Sequence, residues 1–264
     1  MKPRALILSG NGINCEDETK FAFEQVGGKA DIIHINDIIS RFYHPKNYQI
    51  FNIPGGFSYG DDSGAGNALA NRIRNHLQQE IMDFVESGKL VIGICNGFQV
   101  LVNLGLVPAI SGYGNREVAL VDNTSARYDD RWVDLQFTQN SPWTRGVNEL
   151  SIPIAHGEGR FYAEPEILKE IKSKNLVAAR YIRGDVCKHL GLEANPNGSL
   201  DDIAAITDET GRILGIMPHP ERAVHFTQFP YWTFLKEKYK REGKELPEEG
   251  AGLQIFRKGV DYFK

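Results

Sequence analysis

Short apolar runs alternate with helical patterns in the chain up to about residue 107. Four runs have the length of a buried strand and lie at 5–9, 30–35, 48–53 and 89–94. Between the last two, apolar residues recur every four positions from Leu69 to Val85, which predicts a helix over about 68–87 with Gly88 at its cap. Strands that alternate with helices indicate a parallel sheet covered on both faces.

The second half of the chain is richer in strand patterns. They lie at 116–121, 132–138, 150–156, 176–182, 202–207 and 212–217, and helical patterns return at 229–242 and 252–263. We therefore predict one α/β domain over 1–264, with a C-terminal extension at about 228–264. Its mainly parallel central sheet is flanked by helices and carries an antiparallel edge or extension.

Composition narrows the functional classes. The chain has 264 residues, 41% of them hydrophobic, and a formal net charge of −4, which argues against nucleic acid as a partner. Its apolar runs are strand-length, so no membrane span is expected, and the first one reads as a strand and not as a signal peptide. Three widely spaced cysteines form no disulfide framework. A reducing, cytoplasmic setting is therefore expected.

The stretch KLVIGICNGFQVLVN at 89–103 places a thiol where a strand meets a helix. A strand that ends at Ile94 and a helix that begins near Asn96 leave Cys95 on a tight turn. Glycines at 93 and 97 allow close packing there. Its side chain would stand at the carboxyl edge of the sheet, beside a helix N-terminus that favours a thiolate. A lone cysteine after a strand is more often a buried apolar residue, so a functional role requires a base.

The stretch MPHPERA at 217–223 supplies a candidate base after another predicted strand. His219 can accept the thiol proton, and Glu221 can hold the other ring nitrogen as the acid does in a hydrolase triad. Alone, a histidine between prolines is more often a loop residue. Together with Cys95 it supports a Cys-His-Glu hypothesis. No zinc motif accompanies the H-x-E pattern, so no metal is expected.

An attacked carbonyl also needs donors for its oxyanion. The stretch PGGFSYGDD at 54–62 follows a predicted strand, and Gly55 or Gly56 can turn a backbone N–H toward the thiol. The N–H of Asn96, directly after the thiol, is the natural second donor. A Pro-Gly-Gly sequence alone is usually only a turn.

Together, G-I-C-N-G-F-Q at 93–99, P-G-G-F at 54–57 and H-P-E at 219–221 resemble the class I (triad) glutamine amidotransferases. PGGFSYGD, AHGEGR at 155–160 and NPNGS at 195–199 narrow this resemblance to the glutaminase subunits of phosphoribosylformylglycinamidine synthase. The resemblance covers most of the chain and implies the flavodoxin-like fold of class I amidotransferases.

The resemblance implies roles for individual residues, which follow the motifs one by one. It implies Cys95 as nucleophile, His219 as base and Glu221 as the residue that orients the base. It also implies an oxyanion hole formed by a glycine of 55–56 and the Asn96 amide, with Gln99 along the glutamine pocket. His156 and Glu158 are expected near the site without an assigned step, and His156 is the main rival to His219 as base.

The resemblance further implies that ammonia released from glutamine passes to a large ATP-dependent synthase subunit. The chain has no G-x-x-x-x-G-K-[ST] loop, so no cofactor is expected on it, and ATP and Mg would be used by the partner. The resemblance also leaves room for a small bridging subunit. Alternatives are an amidotransferase with another acceptor, a thiol hydrolase or peptidase on the same fold, and an inactive interaction subunit. Cys15 lacks flanking glycines and is expected to be structural.

Overall fold

The computed structural model describes residues 2–264, and its strands lie where the apolar runs predict them. Each predicted strand stretch is a strand, and one further strand, Arg160–Ala163, is not predicted. Its four residues alternate in burial, which is too short a pattern to read beside a glycine-rich turn. The strands are β1 (Arg4–Ser9), β2 (Lys29–His34), β3 (Ile50–Ile53), β4 (Leu90–Ile94), β5 (Val118–Val121), β6 (Asp129–Phe137), β7 (Glu149–His156), β8 (Arg160–Ala163), β9 (Val177–Ile182), β10 (Ile203–Thr207) and β11 (Ile213–Ile216).

Residues 2–264 form eight α-helices, of which six lie between strands and two follow the last strand. The longest begins one residue before the predicted start and ends one residue before the predicted end, and Gly88 follows it with a φ of 77°. A positive φ costs glycine little, which explains the helix stop. The helices are α1 (Glu16–Gln25), α2 (Ile35–Ile39), α3 (Asn67–Glu86), α4 (Asn96–Leu104), α5 (Pro165–Ser173), α6 (Asp185–Leu190), α7 (Trp232–Arg241) and α8 (Leu253–Asp261).

The central sheet has nine strands in the order β2-β1-β3-β4-β11-β10-β9-β6-β7. The first five are parallel to one another, as predicted from the alternation of strands and helices. β3 and β4 are buried along their full length because both faces of this half are covered. The carboxyl ends of β1, β3, β4 and β11 therefore lie at one edge of the sheet.

The remaining four strands are antiparallel and form a larger extension than a single edge strand. Four antiparallel steps separate β11 from β7, so β7 runs in the same direction as β11. The extension also curls back toward the parallel half. The backbone N–H of His219, just after β11, donates to the carbonyl oxygen of Pro153 in β7 at 2.7 Å. This contact brings the end of β7 to the carboxyl edge of β11.

The segment 228–264 divides into two parts with different packing. Helix α7 has no buried residue, whereas α8 buries an apolar face. Phe256 of α8 meets Phe23 of α1 edge to face, with ring centroids 4.9 Å apart. The end of the chain is therefore part of the hydrophobic core, and the exposed portion of this segment centres on α7.

A second, two-stranded antiparallel sheet pairs β5 with β8. Buried residues from β1 through α8 form one continuous hydrophobic core. Within residues 2–264, no helix combines the length and the apolar character that crossing a membrane requires.

Candidate active site

Cys95 lies on the turn between β4 and α4, as the glycine pattern predicts. Its φ of 52° and ψ of −107° form a backbone conformation that few residues other than glycine adopt. A β-carbon at Gly97 would overlap the carbonyl oxygen of Ile53, and one at Gly93 would lie 2.5 Å from the carbonyl oxygen of Gly97. The two glycines thus let the chain turn sharply enough to hold Cys95 in this strained conformation, which is typical of functional sites.

The turn is anchored to both halves of the sheet. The backbone N–H of Cys95 donates to the carbonyl oxygen of Ile216 at the end of β11, at 2.8 Å. The Cys95 sulfur lies 3.7 Å from the carbonyl oxygen of Ala155, near the end of β7. Only 5% of the residue is exposed. The antiparallel extension therefore forms one wall around the thiol.

His219 and Glu221 form a buried pair after β11. Pro220–Arg222 form a single 3-10 turn, which brings Glu221 back beside the ring of His219. The Nδ1 atom of His219 lies 2.5 Å from Oε1 of Glu221, and the side chains are 1% and 0% exposed. Among residues 2–264, the Nε2 atom has no hydrogen-bond partner. The ring is fixed through Nδ1, and Nε2 is available to exchange a proton with a reacting group.

Two opposing effects set the protonation of His219. Burial acts to lower its pKa, but the Glu221 carboxylate and the sulfur of Cys95 outweigh burial and raise the pKa of His219 well above its ordinary value. The imidazolium form is therefore favoured. Such a ring can hold the proton of a neighbouring thiol as one member of a thiolate–imidazolium pair.

A cavity of about 280 Å³ opens beside the thiol. Its walls come from the 54–62 loop, the start of α4, the end of β7 and the loop after β5. The lining residues include Gly56, Phe57, Cys95, Gln99, Tyr128, His156 and Glu158. A larger groove of about 660 Å³ lies between α3 and the 41–46 segment and is lined by none of the predicted site residues. The smaller cavity is therefore the candidate substrate site.

The 54–62 loop brings glycine backbone close to the thiol. Gly56 has a φ of 147° and lines the cavity, whereas Gly55 packs behind it against His219. Backbone bonds to the neighbouring loop use the carbonyl of Gly55 and the N–H of Phe57. The glycine N–H groups are not used in these bonds. Gly56 is therefore the better placed of the two for an oxyanion donor.

Side-chain amides fasten this loop to α4. Asn96 accepts a hydrogen bond from the N–H of Ser58 at 3.2 Å and donates to Asp61 at 3.2 Å and to Gln99 at 2.9 Å. Gln99 in turn donates to the carbonyl oxygen of Glu158. Both amides are almost fully buried. The Asn96 and Gln99 side chains thus fix the walls of the cavity, and the Asn96 N–H remains at the start of the helix.

His156 is a second buried histidine at this edge. Its Nδ1 atom lies 3.1 Å from Oδ1 of Asn123, and its Nε2 atom has no partner among the described residues. Burial, with a smaller effect from His219, lowers the pKa of His156 to about 3. The ring is therefore neutral at ordinary pH but too weakly basic to hold a proton taken from Cys95, which disfavours it as the base.

Known proteins with a similar sequence identify the family of this chain. A family model described as a CobB/CobQ-like glutamine amidotransferase domain matches residues 2–263. A Methanococcus maripaludis protein named phosphoribosylformylglycinamidine synthase subunit PurQ is 46% identical in an alignment of 265 positions that covers 99% of this chain and 97% of that protein. The chain belongs to the PurQ family of glutamine amidotransferases.

Other PurQ relatives and solved structures extend the match. The Dehalococcoides mccartyi PurQ subunit is 42% identical over 99% of this chain and 98% of its own length. The structure of PurLQS from Thermotoga maritima has a chain that is 30% identical, with a TM-score of 0.73 and full coverage of both chains. A glutamine amidotransferase from Thermotoga maritima, 14% identical with a TM-score of 0.53, shares the fold over 99% of this chain and 98% of its own length.

In this PurQ-family chain, the structure gathers most of the predicted site residues around one cavity. Gly56, Cys95, Gln99, His156 and Glu158 all line it. The Glu158 carboxylate accepts a hydrogen bond from the N–H of Ala65 at 3.2 Å. It holds the start of α3 against the cavity wall.

Sequence reasoning missed two neighbours of the catalytic pair in this PurQ-family chain. Cys15 is expected to be structural, but its sulfur, a nitrogen of His219 and a carboxylate oxygen of Glu221 all lie within 4.8 Å of one another. Arg222 donates to the Cys15 sulfur at 3.1 Å. These atoms have the chemistry of metal ligands, but Glu221 already bonds the ring and Arg222 supplies a cation, so they fit a hydrogen-bonded cluster better. The only sequence signal was that Cys15 follows the first strand.

Proposed function

We propose that this chain is the glutaminase subunit of phosphoribosylformylglycinamidine synthase, which hydrolyses glutamine and delivers ammonia to an ATP-dependent synthase subunit in purine biosynthesis. One observation carries the chemistry. A buried His219–Glu221 pair, joined at 2.5 Å, lies beside a thiol on a strained turn at the same edge of the sheet. Membership of the PurQ family supports the choice of acceptor pathway.

The first step forms the nucleophile. His219 takes the proton of Cys95, and Glu221 stabilises the resulting imidazolium across the 2.5 Å contact. The thiolate then attacks the side-chain carbonyl carbon of glutamine. Negative charge develops on the carbonyl oxygen, and the N–H groups of Gly56 and Asn96 are its expected donors.

The second step breaks the carbon–nitrogen bond. His219 gives its proton to the leaving nitrogen, ammonia departs, and a thioester joins Cys95 to the glutamyl group. His219, now neutral, takes a proton from water as the water attacks the thioester. Glutamate leaves, and the thiolate and imidazolium are restored.

The partners follow from the family. One chain in the structure of PurLQS from Thermotoga maritima is similar to this chain over its full length, which supports association with a synthase subunit. In this proposal the partner uses ATP and Mg, the complex is cytoplasmic, and a small bridging subunit can join it. No cofactor role is assigned to this chain.

The cavity argues against the alternative of a peptidase. The thiol residue is only 5% exposed and opens into about 280 Å³, which suits a free amino acid better than a polypeptide. An inactive interaction subunit would have no need for a buried pair of ionisable groups, whose burial is costly. An amidotransferase with another acceptor remains the second candidate on chemistry alone, and the PurQ relatives favour the purine enzyme.

The test is ammonia release from glutamine by the wild type and by Cys95→Ala, each with and without the synthase subunit and its substrates. We expect the partner to stimulate the wild type and Cys95→Ala to be inactive in both conditions. Cys187→Ala removes another buried thiol, which does not line the cavity, and should retain activity. Full activity of Cys95→Ala would overturn the proposal, and peptide cleavage without glutamine hydrolysis would favour the peptidase.

A further inference from the structure

Cys15 is a buried thiol that the reaction described above does not use. It lies between β1 and α1 and is fully buried. Its sulfur accepts a hydrogen bond from Nη2 of Arg222 at 3.1 Å, and its S–H donates to Oδ1 of Asn14 at 3.2 Å. A sulfur contacted by a guanidinium is polarised toward negative charge.

This sulfur lies against the catalytic pair. It is within 4.8 Å of a ring nitrogen of His219 and a carboxylate oxygen of Glu221. A β-carbon at Gly55 would lie 2.7 Å from Cε1 of His219 and 3.3 Å from the Cys15 sulfur. Only a glycine fits at that position, so the 54–62 loop, the ring and the thiol form one tight contact.

We propose that Cys15, polarised by Arg222, is a positioning residue that holds the His219 ring and stabilises its imidazolium form. The inference rests on the proposed function, because a positioned imidazolium matters only if His219 exchanges protons with Cys95. Cys15 then acts through His219 and does not touch the substrate. It gives the buried ring a second electron-rich neighbour in addition to Glu221.

The charges around His219 make such support useful. Burial alone would favour the neutral ring, and each electron-rich neighbour opposes that tendency. The positive charge of Arg222 would itself disfavour a positive charge on His219. The guanidinium of Arg222, however, donates a hydrogen bond to the Cys15 sulfur. The groups that face or influence the ring are Glu221, Arg222, Cys95, Cys15, His156 and Tyr128.

The chain offers a matched control for the test. Cys187 is also free and fully buried, but its sulfur lies 3.8 Å from the carbonyl of Glu193, away from the cavity. Cys15→Ala and Cys187→Ala remove the same atom from equally buried sites. Loss of packing alone would therefore affect both variants, whereas loss of support for His219 would appear only in Cys15→Ala.

We expect Cys15→Ala to lower kcat for glutamine hydrolysis about 3- to 10-fold, the effect of one lost polar contact, with KM unchanged. In NMR titration, with the signal assigned by His219→Asn, the imidazolium of His219 should lose its proton at lower pH than in the wild type. Cys15→Ser should recover part of both effects, because a hydroxyl also accepts from Arg222. The double variant Cys15→Ala/Arg222→Met should be no slower than Cys15→Ala alone.

Equal kcat and equal His219 titration in Cys15→Ala and the wild type would overturn the inference. Equal losses in Cys15→Ala and Cys187→Ala would overturn it as well, since packing would then explain both. The failure of the proposed function has a different signature. In that case the wild type releases no ammonia with or without the synthase, while the NMR comparison still reports whether Cys15 supports the ring.

Discussion

Two histidines lie at the same edge of the sheet and differ in the partner of one nitrogen. His219 follows β11 in the parallel half, and His156 ends β7 in the antiparallel half. They are 1% and 3% exposed, and each has an Nε2 atom without a partner among the described residues. The Nδ1 of His219 meets the carboxylate of Glu221 at 2.5 Å, whereas that of His156 meets the amide of Asn123 at 3.1 Å.

The charges around the two rings separate them. The Glu221 carboxylate, with a further effect from the sulfur of Cys95, raises the pKa of His219 well above its ordinary value against the effect of burial. Beside a neutral amide, burial prevails and lowers the pKa of His156 to about 3. At nearly equal burial, the charge of the Nδ1 partner is the main difference between the two histidines. The same edge of the sheet thus holds one ring suited to proton transfer and one ring that stays neutral at ordinary pH.

The orientation of Asn123 fixes the form of His156 as well. Its amide nitrogen donates to the carbonyl oxygens of Arg127 and His156, both at 2.9 Å. Its oxygen must therefore be the acceptor that faces the ring, so Nδ1 of His156 carries the hydrogen. The remaining lone pair is on Nε2. His156 can then accept a hydrogen bond in the cavity wall without changing its charge.

The largest effect is expected when each histidine is replaced by asparagine. An asparagine amide can retain the contact made by Nδ1 and removes Nε2 in both cases. His219→Asn should lower kcat about 100- to 10,000-fold, because it removes the acid–base group. His156→Asn should cost less than about tenfold, the effect of one hydrogen bond. Steady-state glutamine hydrolysis measures both values, and a larger loss in His156→Asn would reverse the assignment of the base.

The next effect comes from neutralising the partner of His219. Glu221→Gln keeps the size of the side chain and removes its charge, so His219 should resemble His156 and lose its imidazolium form. We expect kcat to fall about 100-fold or more. The measurement is hydrolysis rate against pH, together with NMR titration of the His219 ring. If the ring still titrates at the wild-type pH, the charge of Glu221 does not control it.

The His219 side of this comparison was predictable from the residues themselves, whereas His156 was expected near the site only from the family resemblance. Cys95, His219 and Glu221 lie in short motifs whose glycines and prolines indicate local geometry. The position of His156 depends on four antiparallel pairings and on the curl of the extension, which are non-local. Asn123 and Cys15 carry no local motif, so their contacts become visible only when distant segments are brought together. The ten predicted strands were likewise local apolar runs, whereas their order in the sheet was not.

The reverse substitution, at Asn123, places a carboxylate beside the neutral ring of His156. In Asn123→Asp, the negative charge should raise the pKa of His156, so that its ring titrates above pH 3 in an NMR experiment. The variant should also be less stable, because an aspartate cannot donate to the two carbonyl oxygens that Asn123 now satisfies. Asn123→Ser, which adds no charge, is the control. An unchanged His156 titration in the aspartate variant would mean that burial alone sets its pKa.

A separate effect is on acid stability, and its sign follows from the lowered pKa of His156. The unfolded chain binds a proton on His156 below about pH 6.5, whereas the folded chain does so only near pH 3. Between these values, the free energy of unfolding should fall as the pH falls, by up to about 1.4 kcal/mol per pH unit from this group. His156→Asn removes that contribution, so urea unfolding of the variant should depend less on pH over this range.

His219 should change stability with pH in the opposite direction to His156, so it serves as the control. Its raised pKa adds stability that is fully present below about pH 6.5 and is lost as the pH rises through the folded value. His219→Asn should then alter the alkaline side of the stability profile, and His156→Asn the acid side. If His156→Asn loses stability between pH 6.5 and pH 3 as steeply as the wild type, His156 is already protonated in the folded chain. The two histidines would then not differ in charge, and the contrast between their Nδ1 partners would lose its functional meaning.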